Sequence, residues 1–523
     1  MGIAGSFFNV ARRYGGRVAV QTGAVEVTYD ALADEVRRLS NVLKGYGVGP
    51  GDVVGGIMPN RSELVALDLA CSASGFVRTL LNSRAPADDY VYCLNFAEAK
   101  VLVFDESLAE VIDGIRDRLN VEKYICVGKP TAWAGSYSEL LASAASSFAP
   151  EAVQPATPHS IYFTSGTTGR PKGVLLSHAN WIRIAYCHTA ELDPGGGPDD
   201  VALLAAPMTH ATGSLVVPCL LRGSRLLMMD HFDADQVNQY MATAGVTSTF
   251  MAPTMIQMLM QHVTRAQAER FRLRTLLYGG ASFPTHRLQE ALELFGPVLV
   301  QGYGQWESPI AFSYLGKQDH VDGLKHDQQI LSSGGQAAMF ADMAILDDEG
   351  RELPAGQEGE IAAAGPQLMI GYLKNPDATS EIRSGRWQRT GDVGYLDERG
   401  YVYITDRKKD MIITGGMNVY PRQVEEVLYQ HPGVEEACVV GVPSELWGET
   451  VHAVVVCRDG SDLTGEALVD WSKDRLPNDR RPRSVNMVSS LPKNNYGKIL
   501  RREVRDAARA ELTAGAAAVS PQD

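Results

Sequence analysis

Between residues 201 and 304 the chain carries five short apolar runs: VALLAAP (201–207), SRLLMMD (224–230), VTSTFMAP (246–253), LRTLLYGG (273–280) and VLVQGYG (298–304). Helical segments such as ADQVNQYMATAG and THRLQEALELFG lie between several of them. The same alternation begins near residue 25. TYDALADEVRRLSNVLKGYGV (28–48) spaces its apolar residues at helical period, with Thr28 placed to cap it. DVVGGIMP (52–59), KVLVFD (100–105) and KYICVG read as strands, and SELVALDLACSASG and EVIDGIRDRLN as helices. Strands separated by helices return to a sheet in parallel, with both faces covered, so the expected class is α/β with doubly wound, mostly parallel sheets. Ligands of such sheets sit beyond the carboxyl ends of the strands. YFTS, YGG and QGYGQWE all lie at strand ends and are expected to converge on one site.

At 523 residues the chain exceeds one ordinary core. After about residue 335 its texture changes. DMAILDDEGRELPAGQEGEIAAAG reads as short strands with Gly and Asp turns, a small β subdomain. The charged run DRKKD (406–410) follows. Beyond it, PRQVEEVLYQHP and GEALVDWSKDRLP read as helices and EEACVVGVP and VHAVVVCRD as strands, an α+β domain of about 100 residues. The expected boundaries are 1–406, 407–510 and a low-complexity, disordered tail at 511–523.

Composition narrows the function. A net charge of −14 argues against nucleic-acid binding. The seven cysteines are scattered without a CxxC pair, which indicates reduced thiols and no zinc site. No apolar run reaches membrane-spanning length, so no stable membrane insertion is expected. MGIAGSFF lacks the charged and apolar regions of a signal peptide; Gly2 with Ser6 fits the loose myristoylation pattern, but an ordinary cytoplasmic N-terminus is the reading taken.

The loop YFTSGTTGRPKG (162–173) combines three glycines, several hydroxyls and a lysine. Glycines let backbone N–H groups approach a ligand, hydroxyls donate hydrogen bonds and the lysine adds charge, a combination suited to a polyanion. It is not a Walker A loop, because the order is Pro171-Lys172-Gly173 rather than Gly-Lys-Ser/Thr.

Three later segments accompany it in order: YGQWE (303–307), RTGDVGYLDERGYVYITDRKKDMIITGGMNVYP (389–421) and LPKNNYGKILRREV (491–504). Together, from about residue 160 to 504, they resemble the superfamily of acyl- and aryl-CoA synthetases, peptide-synthetase adenylation domains and beetle luciferases. The resemblance implies two steps. A carboxylate attacks the α-phosphate of ATP, giving an acyl-adenylate and pyrophosphate; the thiol of coenzyme A then takes the acyl group. It implies roles as well. Thr164, Ser165, Gly166, Thr167, Thr168 and Lys172 would meet the β- and γ-phosphates, and Glu307 would hold Mg²⁺. Tyr303, between Gly302 and Gly304, would stack on adenine, with Gly280, Ala281 and Ser282 lining the base site. Asp392 would accept from the ribose hydroxyls, Arg407 would contact the ribose or phosphate side, and Lys498 would bridge substrate carboxylate and α-phosphate. In that superfamily the C-terminal domain turns between the two steps about a hinge, here Lys409. The turn withdraws Lys498 and presents Thr414, Gly415 and Gly416 to the pantetheine arm.

The acid is less sharply written. Relatives line the acyl pocket with the segment here reading PMTHATGSLVV (207–217), and amino-acid-activating ones carry an Asp in it; none stands between Pro207 and Arg222. That favours a medium-chain, long-chain or bulky hydrophobic acid. His210 matches a position that gates the acyl site, with a packed core histidine as the competing reading. A carrier protein in place of coenzyme A, and a non-catalytic nucleotide-binding homologue, remain open. The last rests on Trp306, where the superfamily usually has Thr; the indole is expected to turn aside and pack rather than fill the phosphate site.

Overall fold

The helical spacing after Thr28 becomes the helix Tyr29–Gly45, which Thr28 caps by accepting from the Ala31 N–H at 3.2 Å. The computed structural model describes residues 2–164, 170–444, 446–493 and 499–518. The chain gathers into two compact units. The first comprises Met1–Gly280, Gln289–Met343 and Ala363–Gln388; the second comprises Ala281–Leu288, Ala344–Ala362 and Arg389–Asp523.

Two large sheets form the first unit. One runs, edge to edge, Gln336–Ala337, Ser308–Leu315, Leu299–Gln305, Thr275–Gly279, Ser248–Met251, Val201–Leu204, Arg225–Met228, Val18–Thr22 and Val25–Thr28. The five apolar runs of residues 201–304 are its parallel centre. The other runs Gly371–Tyr372, Lys172–Ser177, Pro158–Thr164, Val77–Leu81, Val53–Ile57, Ala99–Asp105, Lys123–Val127 and Gly135–Ser136. Antiparallel pairs close the edges, as at Leu299–Gln305 with Ser308–Leu315. The helix Ser62–Ser74 is buried from Leu64 through Ser74, as suits a helix apolar on nearly all sides.

The N-terminal helix Ile3–Tyr14 and the strand Val18–Thr22 precede the alternation read from residue 25. That strand draws its register from far along the chain, with Val20 beside Leu226 in a parallel pair. At the other terminus the helix Arg501–Ala518 runs into the segment expected to be a disordered tail; residues 519–523 lie outside the described residues.

In the core of the first unit, the Arg78 guanidinium is fully buried against the Asp68 carboxylate, with its carbon 5.2 Å from the Tyr162 ring centre and 5.1 Å from that of Trp181. Burying a charge is tolerable only with such a partner.

The second unit takes in most of a β layer formed by Gly359–Ala364, Trp387–Leu396 and Val402–Arg407. It also has a sheet ordered Met417–Val419, Ile412–Thr414, Gly448–Cys457 and Val434–Ser444, with Ser484–Val488 parallel on Gly448–Cys457. The helix Pro421–Leu428 starts with proline, whose missing N–H is no loss there. Its Val424 and Leu428 pack with Ile412, Val439, Val451 and Leu468. Among the described residues no helix is long and apolar enough to cross a membrane.

One carboxyl makes the first unit pH-sensitive. Burial pushes Glu35 up to about 7, even though the Tyr137 hydroxyl donates to it at 2.6 Å. A carboxyl whose pKa is higher folded than unfolded contributes stability below its unfolded value, and that contribution is lost as pH rises through about 7. Glu35→Gln is expected to raise the Tm at pH 8 by on the order of 2 °C and to leave it unchanged at pH 4.5. Thermal melts at both pH values measure the difference; an equal shift at both would remove the titration as its cause.

Candidate active site

The Gly/Ser/Thr loop is the connection of an antiparallel hairpin. Pro158–Thr164 and Lys172–Ser177 pair along their length, and Thr164 opposite Lys172 closes the ladder. Ser165, Gly166, Thr167 and Thr168 lie outside the described residues. The far foot of the loop is anchored: the Tyr92 hydroxyl donates to the Pro171 carbonyl at 3.1 Å, and the Arg170 guanidinium lies 5.4 Å from the Tyr92 ring centre.

The outer strand of this hairpin carries a third, Gly371–Tyr372, with Tyr372 opposite Val174 and Gly371 opposite Leu175. That pairing sets Tyr372 beneath Lys172, whose ammonium stands 4.9 Å from the ring centre. The Tyr372 hydroxyl donates to Glu307 Oε1 at 2.8 Å. Burial first, and the Glu307 carboxylate second, push the Tyr372 phenol far above its ordinary pKa, so it stays a proton donor. The main chain ties the third segment in, through the Met369 N–H donating to the Glu307 carbonyl at 2.8 Å. Lys172 and Glu307, far apart in sequence, are thus gathered around one tyrosine. Sequence reading missed Tyr372. It stands in a two-residue strand within GPQLMIGYLKNP, and its only signal is the partner it meets in three dimensions.

Trp306 follows the strand Leu299–Gln305 and turns onto Tyr162. The rings stack with centres 3.9 Å apart and planes 12° apart, and the indole packs on the core of the first unit. His210 meets Trp306 edge-on at 6.2 Å. Burial lowers the imidazole to about 4, so His210 is neutral at physiological pH, and its Nδ1 lies 3.1 Å from Thr209 Oγ1. The turn that presents it is held from below by the buried Asn60, which donates to the Ala206 and Met229 carbonyls and accepts from the Met208 N–H. Gly213 is required there, because a Cβ would lie 1.9 Å from the Met208 carbonyl oxygen. Met208, Met251 and Met255 are all buried core residues.

Gly279 and Gly302 face each other on adjacent parallel strands. A Cβ on Gly279 would stand 2.4 Å from the Gly302 carbonyl, so the strands approach closely where they end. Gly280 then takes a left-handed φ of +80°, and Gly280, Ala281 and Ser282 are exposed. Tyr303 is buried with its ring tilted on Phe312 at 5.4 Å, and Gly304 continues the strand.

In the second unit Asp392 and Arg407 are opposite each other in an antiparallel pair. Asp392 is buried, and Arg407 Nε approaches its carboxylate to 3.4 Å. Lys409 is exposed in the short turn Lys408–Asp410 just after. Asp406, on the near side of that turn, accepts from the Arg422 N–H at 2.8 Å and lies 3.5 Å from the Arg501 guanidinium, which also clasps Glu425. Gly415 and Gly416 form the left-handed turn between Ile412–Thr414 and Met417–Val419, with φ of +56° and +80°. The Trp447 carbonyl accepts from Gly415 N–H at 2.8 Å, and a Cβ on Gly415 would meet the Trp447 ring at 2.7 Å. Lys498 lies outside the described residues; Lys493 and Ile499 pair in an isolated antiparallel bridge.

The sequence model for AMP-binding enzymes matches residues 7–373, and that for the AMP-binding enzyme C-terminal domain matches residues 423–498. A feruloyl-CoA synthase of Amycolatopsis sp is 35% identical over 497 residues, covering 93% of this chain and 95% of that protein. The medium/long-chain-fatty-acid–CoA ligase FadD8 of Mycobacterium tuberculosis is 32% identical over 516 residues, covering 94% and 88%. The crystal structure of ATP-bound MatB from Rhodopseudomonas palustris superposes with a TM-score of 0.87 at 29% identity, covering 97% of this chain and 99% of that one.

The Trp306–Tyr162 stack gives a direct expectation. Trp306→Phe keeps an aromatic partner for Tyr162 and should melt close to wild type, whereas Trp306→Ala should lose roughly 1–3 kcal/mol of stability. Denaturant unfolding measures the gap, and equal stability of the two variants would remove the stack as a packing element.

Proposed function

Because this chain belongs to the AMP-binding enzyme family, we propose that it is a cytoplasmic, AMP-forming acid–thiol ligase acting on a medium-chain, long-chain or bulky hydrophobic carboxylic acid, with coenzyme A as acceptor. The observation that carries this reading is the gathering of Lys172 and Glu307 around Tyr372 at the foot of the Gly/Ser/Thr hairpin. It puts a cation and a hard carboxylate beside a loop rich in donors, the groups a triphosphate and its metal require.

The donor set suits magnesium. Among the described residues no group of three His, Cys, Asp or Glu could hold a metal ion. A cation at Glu307 would therefore rely on one carboxylate, with phosphate oxygens and water completing its shell, the manner in which Mg²⁺ is commonly held. Bound there, the ion would supply charge neutralisation on the phosphates.

The chemistry then runs in two balanced steps. A carboxylate oxygen of the acid bonds to the α-phosphorus as the bond to pyrophosphate breaks. The thiol sulfur next bonds to the acyl carbon as the bond to AMP breaks, and the thiol proton passes to solvent. The protein contributes positioning and charge stabilisation. Lys172 and the hydroxyl loop take the terminal phosphates. Tyr303 and the Gly280–Ser282 turn take the base, and Asp392 with Arg407 the ribose. Lys498 bridges the reacting carboxylate and phosphate. The segment 407–510 turns about Lys409 between the steps and brings Gly415 and Gly416 to the thiol. A hydrophobic acid is supported by the absence of an Asp between Pro207 and Arg222, by the neutral His210 beside Trp306, and by relatives named for fatty and aryl acids.

Pyrophosphate release from a panel of fatty, aryl and amino acids, with coenzyme A or a phosphopantetheinyl carrier protein offered side by side, tests the reading. Hydrophobic acids with coenzyme A should turn over best; exclusive transfer to the carrier would reassign the acceptor, and no pyrophosphate with any acid would end the enzyme reading. Lys498→Ala should lower adenylation by about 10²–10³-fold while sparing thioester formation from supplied acyl-AMP. Lys409→Pro should do the reverse, because proline fixes φ at the pivot; parallel loss of both half-reactions would make Lys409 a stability residue.

A further inference from the structure

Tyr372 touches both charged groups of the phosphate side through two different parts of one side chain. Its hydroxyl donates to Glu307 Oε1 at 2.8 Å, and its ring face lies 4.9 Å from the Lys172 ammonium. We infer that Tyr372 is a positioning residue that sets Glu307 for the metal and Lys172 for the phosphates before the nucleotide arrives. The inference rests on the roles given to Glu307 and Lys172 under the proposed function.

The backbone holds Tyr372 firmly enough to do this. Its own N–H donates to Thr379 Oγ1 at 2.9 Å. On either side, the Leu373 N–H donates to the Gly173 carbonyl at 2.7 Å and the Ile370 N–H to the Leu175 carbonyl at 2.9 Å. A Cβ at Gly371 would meet the Thr379 side chain at 3.0 Å, so the residue before the tyrosine is confined to glycine or a shifted neighbour. The Met369 N–H fixes the main chain of Glu307 to the same segment. With three backbones locked together, the side chains of Lys172 and Glu307 are the movable parts, and the tyrosine is what each rests on.

The two contacts also reinforce each other. A phenol donating to a carboxylate gains electron density, and a richer ring face attracts an ammonium more strongly. The carboxylate is thereby held in one rotamer, and the lysine is kept at the foot of the loop, with no ion pair among the described residues that incoming phosphate would have to break.

The two parts of the side chain are separable by substitution. Tyr372→Phe keeps the ring under Lys172 and removes the donor to Glu307. It should raise the Mg²⁺ concentration for half-maximal adenylation about tenfold, with kcat at saturating Mg²⁺ within about twofold of wild type and the affinity for Mg²⁺-free ATP, measured by calorimetry, unchanged. Tyr372→Leu removes both contacts and should in addition weaken Mg²⁺-free ATP binding by about three- to tenfold. Glu307→Gln separates this inference from the reading beneath it. If Glu307→Gln leaves the Mg²⁺ requirement untouched, the metal role of Glu307 fails. If it raises that requirement while Tyr372→Phe matches wild type, the role of Tyr372 is overturned. Equal Mg²⁺-free ATP affinity in the Phe and Leu variants would overturn the ring contact with Lys172. Thermal melts of Tyr372→Phe, which preserves the packed ring, check that its effect is not one of folding.

Discussion

The strand Lys172–Ser177 is the constraint on which the cluster of Lys172, Glu307 and Tyr372 depends. It is hydrogen-bonded on both edges, to Pro158–Thr164 and to Gly371–Tyr372. Backbone ladders of this kind fix register, and a slip of one residue would turn Lys172 to the opposite face. Because Lys172 is the first residue of that strand, the ladder ends where the charge must stand, and the donor-rich loop begins from a closed pair. The inner partner is held in turn by a buried charge. Arg78 packs against the touching rings of Tyr162 and Trp181 with Asp68 as its counter-ion, and Tyr162 carries Trp306 as a further ring contact. The column from Asp68 to Trp306 couples the core to the segment that ends in Glu307.

Polarity is distributed with economy around this column. His210 is neutral because burial denies it a proton, so the turn facing Trp306 carries no cation there. The formal charges gather instead at Lys172 and Glu307, each resting on Tyr372. Charged and apolar surroundings make opposite demands on a fold, and the first unit keeps the two on distinct side chains.

The second unit follows a similar plan on a smaller core. Asp392 and Arg407 are brought together by strand register alone. One residue before Arg407, Asp406 is caught between the start of the helix Pro421–Leu428 and Arg501, which also grips Glu425. The exposed turn at Lys408–Asp410 therefore leaves from a well-anchored residue. Glycine at 415 is a steric requirement of the Trp447 ring as much as of its positive φ.

By itself the sequence determined the class of the fold and the kind of chemistry. Strand–helix alternation left little but doubly wound sheets, and the run of glycines, hydroxyls and lysine after a strand called for a polyanion whatever else was known. The strands at 201–204, 275–279 and 299–305, the cap at Thr28 and Lys172 in its loop were legible as local patterns of spacing or residue type, whereas Glu307, Asp392 and Arg407 were legible only through the resemblance of their segments to a known superfamily. What only the tertiary structure decided were the pairings between distant segments. The strand Val18–Thr22 exists through a partner some two hundred residues on, and no periodicity of its own announces it. Trp306 could be seen as a departure from a motif, but the ring it stacks on, Tyr162, lies in a distant segment that only the fold brings within reach. Tyr372 was invisible for the same reason: a tyrosine in a two-residue strand acquires meaning only when a sheet edge lays it beneath one charge and against another.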